Sequence, residues 1–205
     1  MSAAATWVKV CGLTHRDDVS IAVDAGADAI GFNLMPESPR YVSIDTAAEL
    51  VPSAEVVTSV LLTVDVTVGE ALHALAATGA GGVQPYGRHA ADVAHFAARA
   101  GLLVLWPAHA VDRESVLAIP NDQTPLLDTP DNAVRGGTGR VFDWSTTSYL
   151  ERDFVLAGGL GPDNVRAAIA AVRPWGVDAS SGLESVPGRK DPGKVLAYVE
   201  EAKSS

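Results

Sequence analysis

The feature that most constrains this chain is an alternation: short runs rich in Val, Ile and Leu are followed, again and again, by Ala-rich stretches of helical period. A regular switch between the two periods implies parallel β/α units. Eight strands are predicted, at 7–11 (WVKVC), 29–34 (AIGFNL), 56–64 (VVTSVLLTV), 81–85 (GGVQP), 102–106 (LLVLW), 124–128 (TPLLD), 154–158 (FVLAG) and 176–180 (GVDAS). Helical segments lie between them: THRDDVSIAVDAG, TVGEALHALAATG, ADVAHFAARAG, the short VDRESVLAI, GPDNVRAAIAAV and DPGKVLAYVEEAK. In the first of these, Thr14 and Asp17 form a capping-box-like start, and Gly26 follows the last turn. Eight strand–helix units close into an α/β fold, the (β/α)8 TIM barrel, for which 205 residues is at the short end. An open doubly wound sheet is the alternative. No Pro/Gly/Ser-rich linker divides the chain, so residues 1–205 are read as a single barrel domain. Its one long connection, 129–145 (TPDNAVRGGTGRVFDWS), has a length usually reserved for functional or disordered loops.

Charge narrows the partners. Asp and Glu total 25 against 15 Lys and Arg, a net charge of -10, and no basic cluster stands out. Nucleic acid and anionic membrane are therefore disfavoured, whereas a small anionic metabolite remains open if it is held locally. One cysteine excludes an intrachain disulfide and suits a reducing compartment. The N-terminal MSAAATWVKV has no basic segment followed by an apolar one, and no uncharged apolar run reaches membrane-spanning length. A cytoplasmic protein is expected.

In a parallel barrel, chemistry gathers at the carboxyl ends of the strands. Cys11 stands at the first such end, where a small buried hydrophobe is the bland reading of a lone cysteine. Asp128 closes the sixth strand, where it is either a turn residue before Thr-Pro or a carboxyl group in use. Together they offer a thiol and a carboxyl across one barrel mouth, a pair suited to acid–base work on a small substrate. A thiol with a reference pKa near ~8.5 needs its thiolate favoured, and helix N-termini around the mouth are one source of that bias. AGGLGPDN after the seventh strand and DASSGLES after the eighth supply glycines and serines ahead of helical segments, where backbone N–H groups cradle phosphate. Arg40, behind Pro39 in MPESPRYVS, has the planar fork that pairs with carboxylates; a solvated surface arginine is the alternative. His15, His73, His89, His95 and His109 contain no i, i+4 pair and no His/Cys cluster, so no metal is expected. Ser180 and Ser181 lack a GxSxG setting, and GGTG at 136–139 lacks the ending of a P-loop.

The stretches VKVCGLT, SPRYVS, LLDTP, GGTGRVFDW, LAGGLGPDNV and VDASSGLESVPGRKDPGKV, in this order and spacing, cover nearly the whole chain. They resemble the phosphoribosylanthranilate isomerase family of tryptophan biosynthesis. The resemblance implies a cofactor-free Amadori rearrangement of N-(5-phosphoribosyl)anthranilate to 1-(2-carboxyphenylamino)-1-deoxy-D-ribulose 5-phosphate, by a monomer or homodimer. It makes Asp128 the acid that protonates the furanose oxygen and Cys11 the base that removes the C2′ proton. Arg40 faces the anthranilate carboxylate, while Gly158, Gly159, Ser180, Ser181 and Gly182 hold the phosphate. Asp178 joins the substrate-binding set and is the rival carboxyl to Asp128. Residues 136–139 belong to a mobile loop over the substrate. The chain departs from the family's common VQLHG at the fourth strand, reading VQPYG with Pro85 and Tyr86, and reads VLLTVD at the third. Two other classes compete: the related histidine-biosynthesis sugar isomerase, whose substrate carries two phosphates, and a non-catalytic binding protein on the same barrel. Against the first, Asp65 is expected to stand as an uncompensated carboxylate where a second phosphate would sit.

Overall fold

A computed structural model of the chain describes residues 5–52, 56–109, 112–128, 147 and 150–205. The predicted strands form as β1 (Trp7–Cys11), β2 (Ala29–Asn33), β3 (Thr58–Val64), β4 (Gly82–Tyr86), β5 (Leu103–His109), β6 (Thr124–Asp128), β7 (Val155–Leu156) and β8 (Gly176–Ala179). All neighbouring pairs are parallel, and β8 returns to β1 with Lys9 opposite Asp178, closing the barrel. Closure rules out the open sheet. Helices α1 (Arg16–Asp24), α2 (Ile44–Leu50), α3 (Val68–Thr78), α4 (Ala90–Arg99), α5 (Arg113–Leu117), α6 (Val165–Val172) and α7 (Pro192–Lys203) run between and after the strands.

Period-two alternation sorts each strand into an inward and an outward face. Outward residues such as Val8, Val10, Ile30, Phe32, Leu61 and Val177 pack with the helices in one large core. Inward residues Ala29, Val60, Leu105, Leu126 and Val155 fill the barrel itself, with Trp7 against them. The same alternation along β1 turns Trp7, Lys9 and Cys11 to one side, which is how a lysine comes to be fully buried inside.

Several local details differ from expectation. The capping box expected at Thr14 and Asp17 does not form: His15 is the N-cap without a side-chain capping bond, and Thr14 Oγ1 donates instead to the Gly188 carbonyl at 2.6 Å. A capping box does form on α3, between Thr67 and Glu70, and Gly79 ends that helix in the left-handed region at φ 71°. Helix α2, started by Ser43 accepting from the Thr46 N–H, was not among the expected helices. Nor was a small antiparallel hairpin, β9 (Glu184–Val186) with β10 (Arg189–Lys190), turning at Gly188 with φ 82°. A side chain at Gly188 would put its Cβ 2.8 Å from the Pro39 carbonyl, so the turn closes on the loop that bears Arg40.

At the amino end of the barrel, Asp28 ties the last helix to the first strands. Its carboxylate accepts from the Val8 N–H at 2.8 Å and from Lys203 Nζ at 2.7 and 2.9 Å. The Lys203 pair is about one-third exposed on both sides and adds little alone. The Val8 N–H, in contrast, loses its acceptor when the carboxylate goes. We expect Asp28→Ala to lower unfolding free energy by roughly 1–3 kcal/mol in urea denaturation, and Lys203→Met to lower it by under about 1 kcal/mol.

Candidate active site

The carboxyl ends of the strands surround a cavity of about 230 Å³. Cys11 and Asp128 reach it from the ends of β1 and β6, and Arg40 from the loop between β2 and α2. Gly158 and Gly159 reach it from the loop after β7, Asp178 from β8, and Ser180, Ser181 and Gly182 from the loop that follows. All nine residues selected from the sequence thus line one space. The loop at 136–139 lies outside the described residues.

Glycine makes the close approaches possible. Gly158 and Gly159 have φ of 83° and 64°, which favours glycine at both positions. A Cβ on Gly182 would collide with the Leu160 carbonyl, so the loop after β8 lies directly against the loop after β7. Gly31, opposite Cys11 across the β1–β2 ladder, leaves the room in which the sulfur sits: a Cβ there would be 2.7 Å from Sγ.

Two sets of charges surround the thiol. Below it, Lys9 Nζ donates to Asp178 Oδ2 at 3.0 Å and to Gln84 Oε1 at 3.2 Å. Above it, Arg40 gives Nε and Nη2 to the two oxygens of Glu184 at 2.7 and 2.8 Å, a bidentate fork. Lys190 Nζ donates to Glu184 Oε1 at 3.1 Å and to the Ser180 carbonyl at 3.0 Å, fastening the β9–β10 hairpin to the loop after β8. Burial works on Glu184 in the opposite sense, but these two cations hold its carboxyl below the usual carboxylate range. Burial pushes the Cys11 thiol up; Lys9 is the strongest influence pulling it back, and Lys190 adds to the pull. Tyr86, whose hydroxyl accepts from Gln84 Nε2 at 2.6 Å, is pushed up to about 12 by burial and stays neutral.

Lys9, Gln84, Glu184 and Lys190 were not selected from the sequence. For Lys9 the signal was present: a lysine two residues before Cys11 in a period-two strand shares its face. For Glu184 and Lys190 there was none, because their meeting depends on the hairpin. The expectation for Asp65 needs correction. It is not uncompensated, since its Oδ1 accepts from the Arg88 backbone N–H at 2.8 Å and faces Arg88 Nε at 3.4 Å. That carboxylate is therefore no argument against a second phosphate.

Residues 8–201 match the family profile described as N-(5'phosphoribosyl)anthranilate (PRA) isomerase. The chain belongs to this isomerase family. A family relative from Geobacter sp. strain M21 is 40% identical over 206 residues, covering 97% of this chain and 98% of its own. One from Pseudomonas fluorescens strain Pf-5 is 40% identical over 200 residues, covering 96% and 95%. The crystal structure of the family enzyme from Thermotoga maritima superposes with a TM-score of 0.86 at 34% identity, covering 98% of this chain and all of the other. A family structure in complex with reduced 1-(o-carboxyphenylamino)-1-deoxyribulose 5-phosphate superposes at 0.82, with 32% identity and the same coverage. The family's barrel fold is thus shared by this chain.

The room left by Gly31 gives a direct test of the site. Its Cβ in Gly31→Ala would also stand 3.2 Å from Lys9 Cε and Nζ, so sulfur or ammonium must move. We expect Gly31→Ala to lower kcat for the isomerase reaction by about 10²-fold through misplacement alone, with circular dichroism unchanged.

Proposed function

We propose that Cys11 and Asp128 are the base and the acid with which this isomerase of tryptophan biosynthesis carries out its Amadori rearrangement. The observation that carries the assignment is a thiol and a carboxyl on the wall of one cavity whose rim is formed by two glycine-rich loops. Protonated Asp128 gives its proton to the furanose oxygen of N-(5-phosphoribosyl)anthranilate. The C1′–O bond then breaks as the anthranilate nitrogen lone pair forms a Schiff base. Cys11, as thiolate, removes the C2′ proton; the electron pair moves to neutralise the iminium nitrogen, and the resulting enolamine tautomerises to the ketone. A base and an acid at opposite stages of one substrate need different pKa environments. Buried Cys11 lies among Lys9, Lys190 and Arg40, and half-buried Asp128 near neutral Tyr86.

Arg40 suits the anthranilate carboxylate. Glu184 fixes the plane of its guanidinium through Nε and Nη2, and Nη1 makes no hydrogen bond among the described residues. The phosphate falls to Gly158, Gly159, Ser180, Ser181 and Gly182, with Asp178 below it in the substrate pocket. The chain acts as one barrel domain over 1–205, in the cytoplasm, on a small phosphorylated substrate and not on nucleic acid. No helix among the described residues is long and apolar enough to cross a membrane. Either a monomer or a homodimer is compatible with catalysis, because all these groups come from one chain; one similar structure is of monomers generated from a dimeric enzyme.

Turnover is measured by the loss of anthranilate-derivative fluorescence with freshly prepared substrate. Cys11→Ala is expected to lower kcat by roughly 10²-fold or more, and Asp128→Asn at least as much, since the amide keeps the shape but has no carboxylic proton. Full activity in Asp128→Asn with loss in Asp178→Asn would transfer the acid role to Asp178. Arg40→Ala should act mainly on KM, by about 1.5–3 kcal/mol of binding, and unchanged KM would remove its role. Chelator should leave the rate unchanged, and a loss that zinc or magnesium restored would overturn the cofactor-free mechanism.

A further inference from the structure

Lys9 is the least expected side chain in the barrel: an ammonium with no solvent exposure, on the inward face of β1. Burying such a charge costs several kcal/mol unless partners offset it. Asp178 and Gln84 take two of its protons, at 3.0 and 3.2 Å. An ammonium has three. The group on its remaining side is Cys11. One methyl-sized space beside Gly31 touches Sγ at 2.7 Å and Lys9 Nζ at 3.2 Å, so sulfur and ammonium face the same point. A pair that only braced the barrel closure would have no need of that neighbour.

We infer that Lys9 is a positioning residue for the reaction, the fixed counter-ion that makes the Cys11 thiolate available as a base. This rests on Cys11 being that base. Charged and titratable groups face the thiol from every side: Lys9 on its own strand, Asp178 from β8, Lys190 from β10, Arg40 from the loop after β2 and Tyr86 from β4. Asp128 completes the cavity wall from β6. Burial is the largest influence on the thiol and raises it; Lys9 is the largest that opposes, and Asp178 itself raises it. Asp178 therefore plays two opposed parts. It keeps Lys9 charged against burial, yet its own negative charge disfavours the thiolate. Removing the charge of Lys9 must therefore raise the thiol, whereas a lysine that only braced the seam would leave it in place.

Because Cys11 is the only cysteine in the chain, thiolate ultraviolet absorbance against pH, taken as the difference from Cys11→Ser protein so that the tyrosines cancel, reports it alone. The titration is made on substrate-free protein, so its failure is distinct from failure of the base assignment, which Cys11→Ala tests. Lys9→Met should raise the thiol pKa by about one unit or more, a tenfold loss of thiolate below that pKa. Lys9→Arg should restore it to within about half a unit, since the charge is kept. In turnover, kcat of Lys9→Met near neutrality should fall about tenfold with KM within about twofold, and should recover as pH rises through the shifted pKa. An unmoved or lowered titration in Lys9→Met overturns the inference. Should Lys9→Met fail to fold, Lys9→Gln decides, since it removes the charge and keeps a polar end for Asp178 and Gln84: an upward shift supports the inference, and a zero or downward shift overturns it.

Discussion

The seam between β1 and β8 is where the barrel closes, and it closes on a buried ion pair. Lys9 and Asp178 are register partners across that seam as well as charge partners 3.0 Å apart. Apart from Gln84, which accepts from Lys9, most of the interior is apolar, filled by residues such as Val60, Leu105 and Leu126. A hydrophobic pair at the seam would close the barrel with less desolvation cost. What the charged pair adds is a fixed dipole one layer beneath the catalytic mouth. The ends of β1 and β8 meet above it, bringing Cys11 and the Ser180–Gly182 loop to the same cavity.

Above the mouth, a second charged chain solves a different problem. The protein carries a net charge of -10, yet it must draw in a substrate bearing a phosphate and a carboxylate. At the rim of its cavity a few cations are held in place. Glu184 spends both oxygens on Arg40 and shares one with Lys190, so two positive groups are retained by one negative group at the rim. Within this trio the balance is positive although the whole molecule is acidic, and Lys190 passes the restraint on to the Ser180 carbonyl of the loop after β8. Glu184 and Lys190 sit on the two strands of one hairpin, which makes that hairpin a brace for the arginine.

Sequence period made the barrel legible, because each strand is a run of β-branched or leucine residues bounded by turn signals. It also placed Cys11, Asp128, Arg40 and the loops at 158–159 and 180–182 on one rim, since strand ends in a parallel barrel all face the same way. What remained hidden was what depends on side chains meeting across long separations. Nothing local in GLESVPGRK announces that Glu184 will grip Arg40, 144 positions away. Helix α2 has only seven residues, too short for a persuasive period. The Thr14 capping expectation failed because Gly188, brought close by the same hairpin, offers the hydroxyl a carbonyl acceptor. Lys9 was legible by period alone, but a lysine inside a barrel contradicts the usual rule for buried residues. Such local contradictions gather at functional sites.

The fourth strand bears on how this member of the family differs from its relatives. Proline inside a sheet removes a ladder donor and is normally confined to edges or bulges. Here Pro85 lies in β4 opposite Thr63, and Pro107 lies in β5 opposite Leu126. The β4–β5 register runs only through Gly82–Leu103 and Val83–Val104, and it stops before either proline. Both prolines are thus accommodated at one place, where the ladder between their two strands has ended and no donor is missed. β4 continues to pair with β3 as far as Tyr86, whose carbonyl accepts from the Asp65 N–H at 3.0 Å. The unladdered side of β4 leaves its last residues set by side chains: Gln84 donates to the Tyr86 hydroxyl while accepting from Lys9. A substitution that looks confined to one strand therefore reaches the ammonium beneath the thiol, through a single amide. Tyr86 also lines the cavity, so the amide that accepts from Lys9 also orients part of the cavity wall.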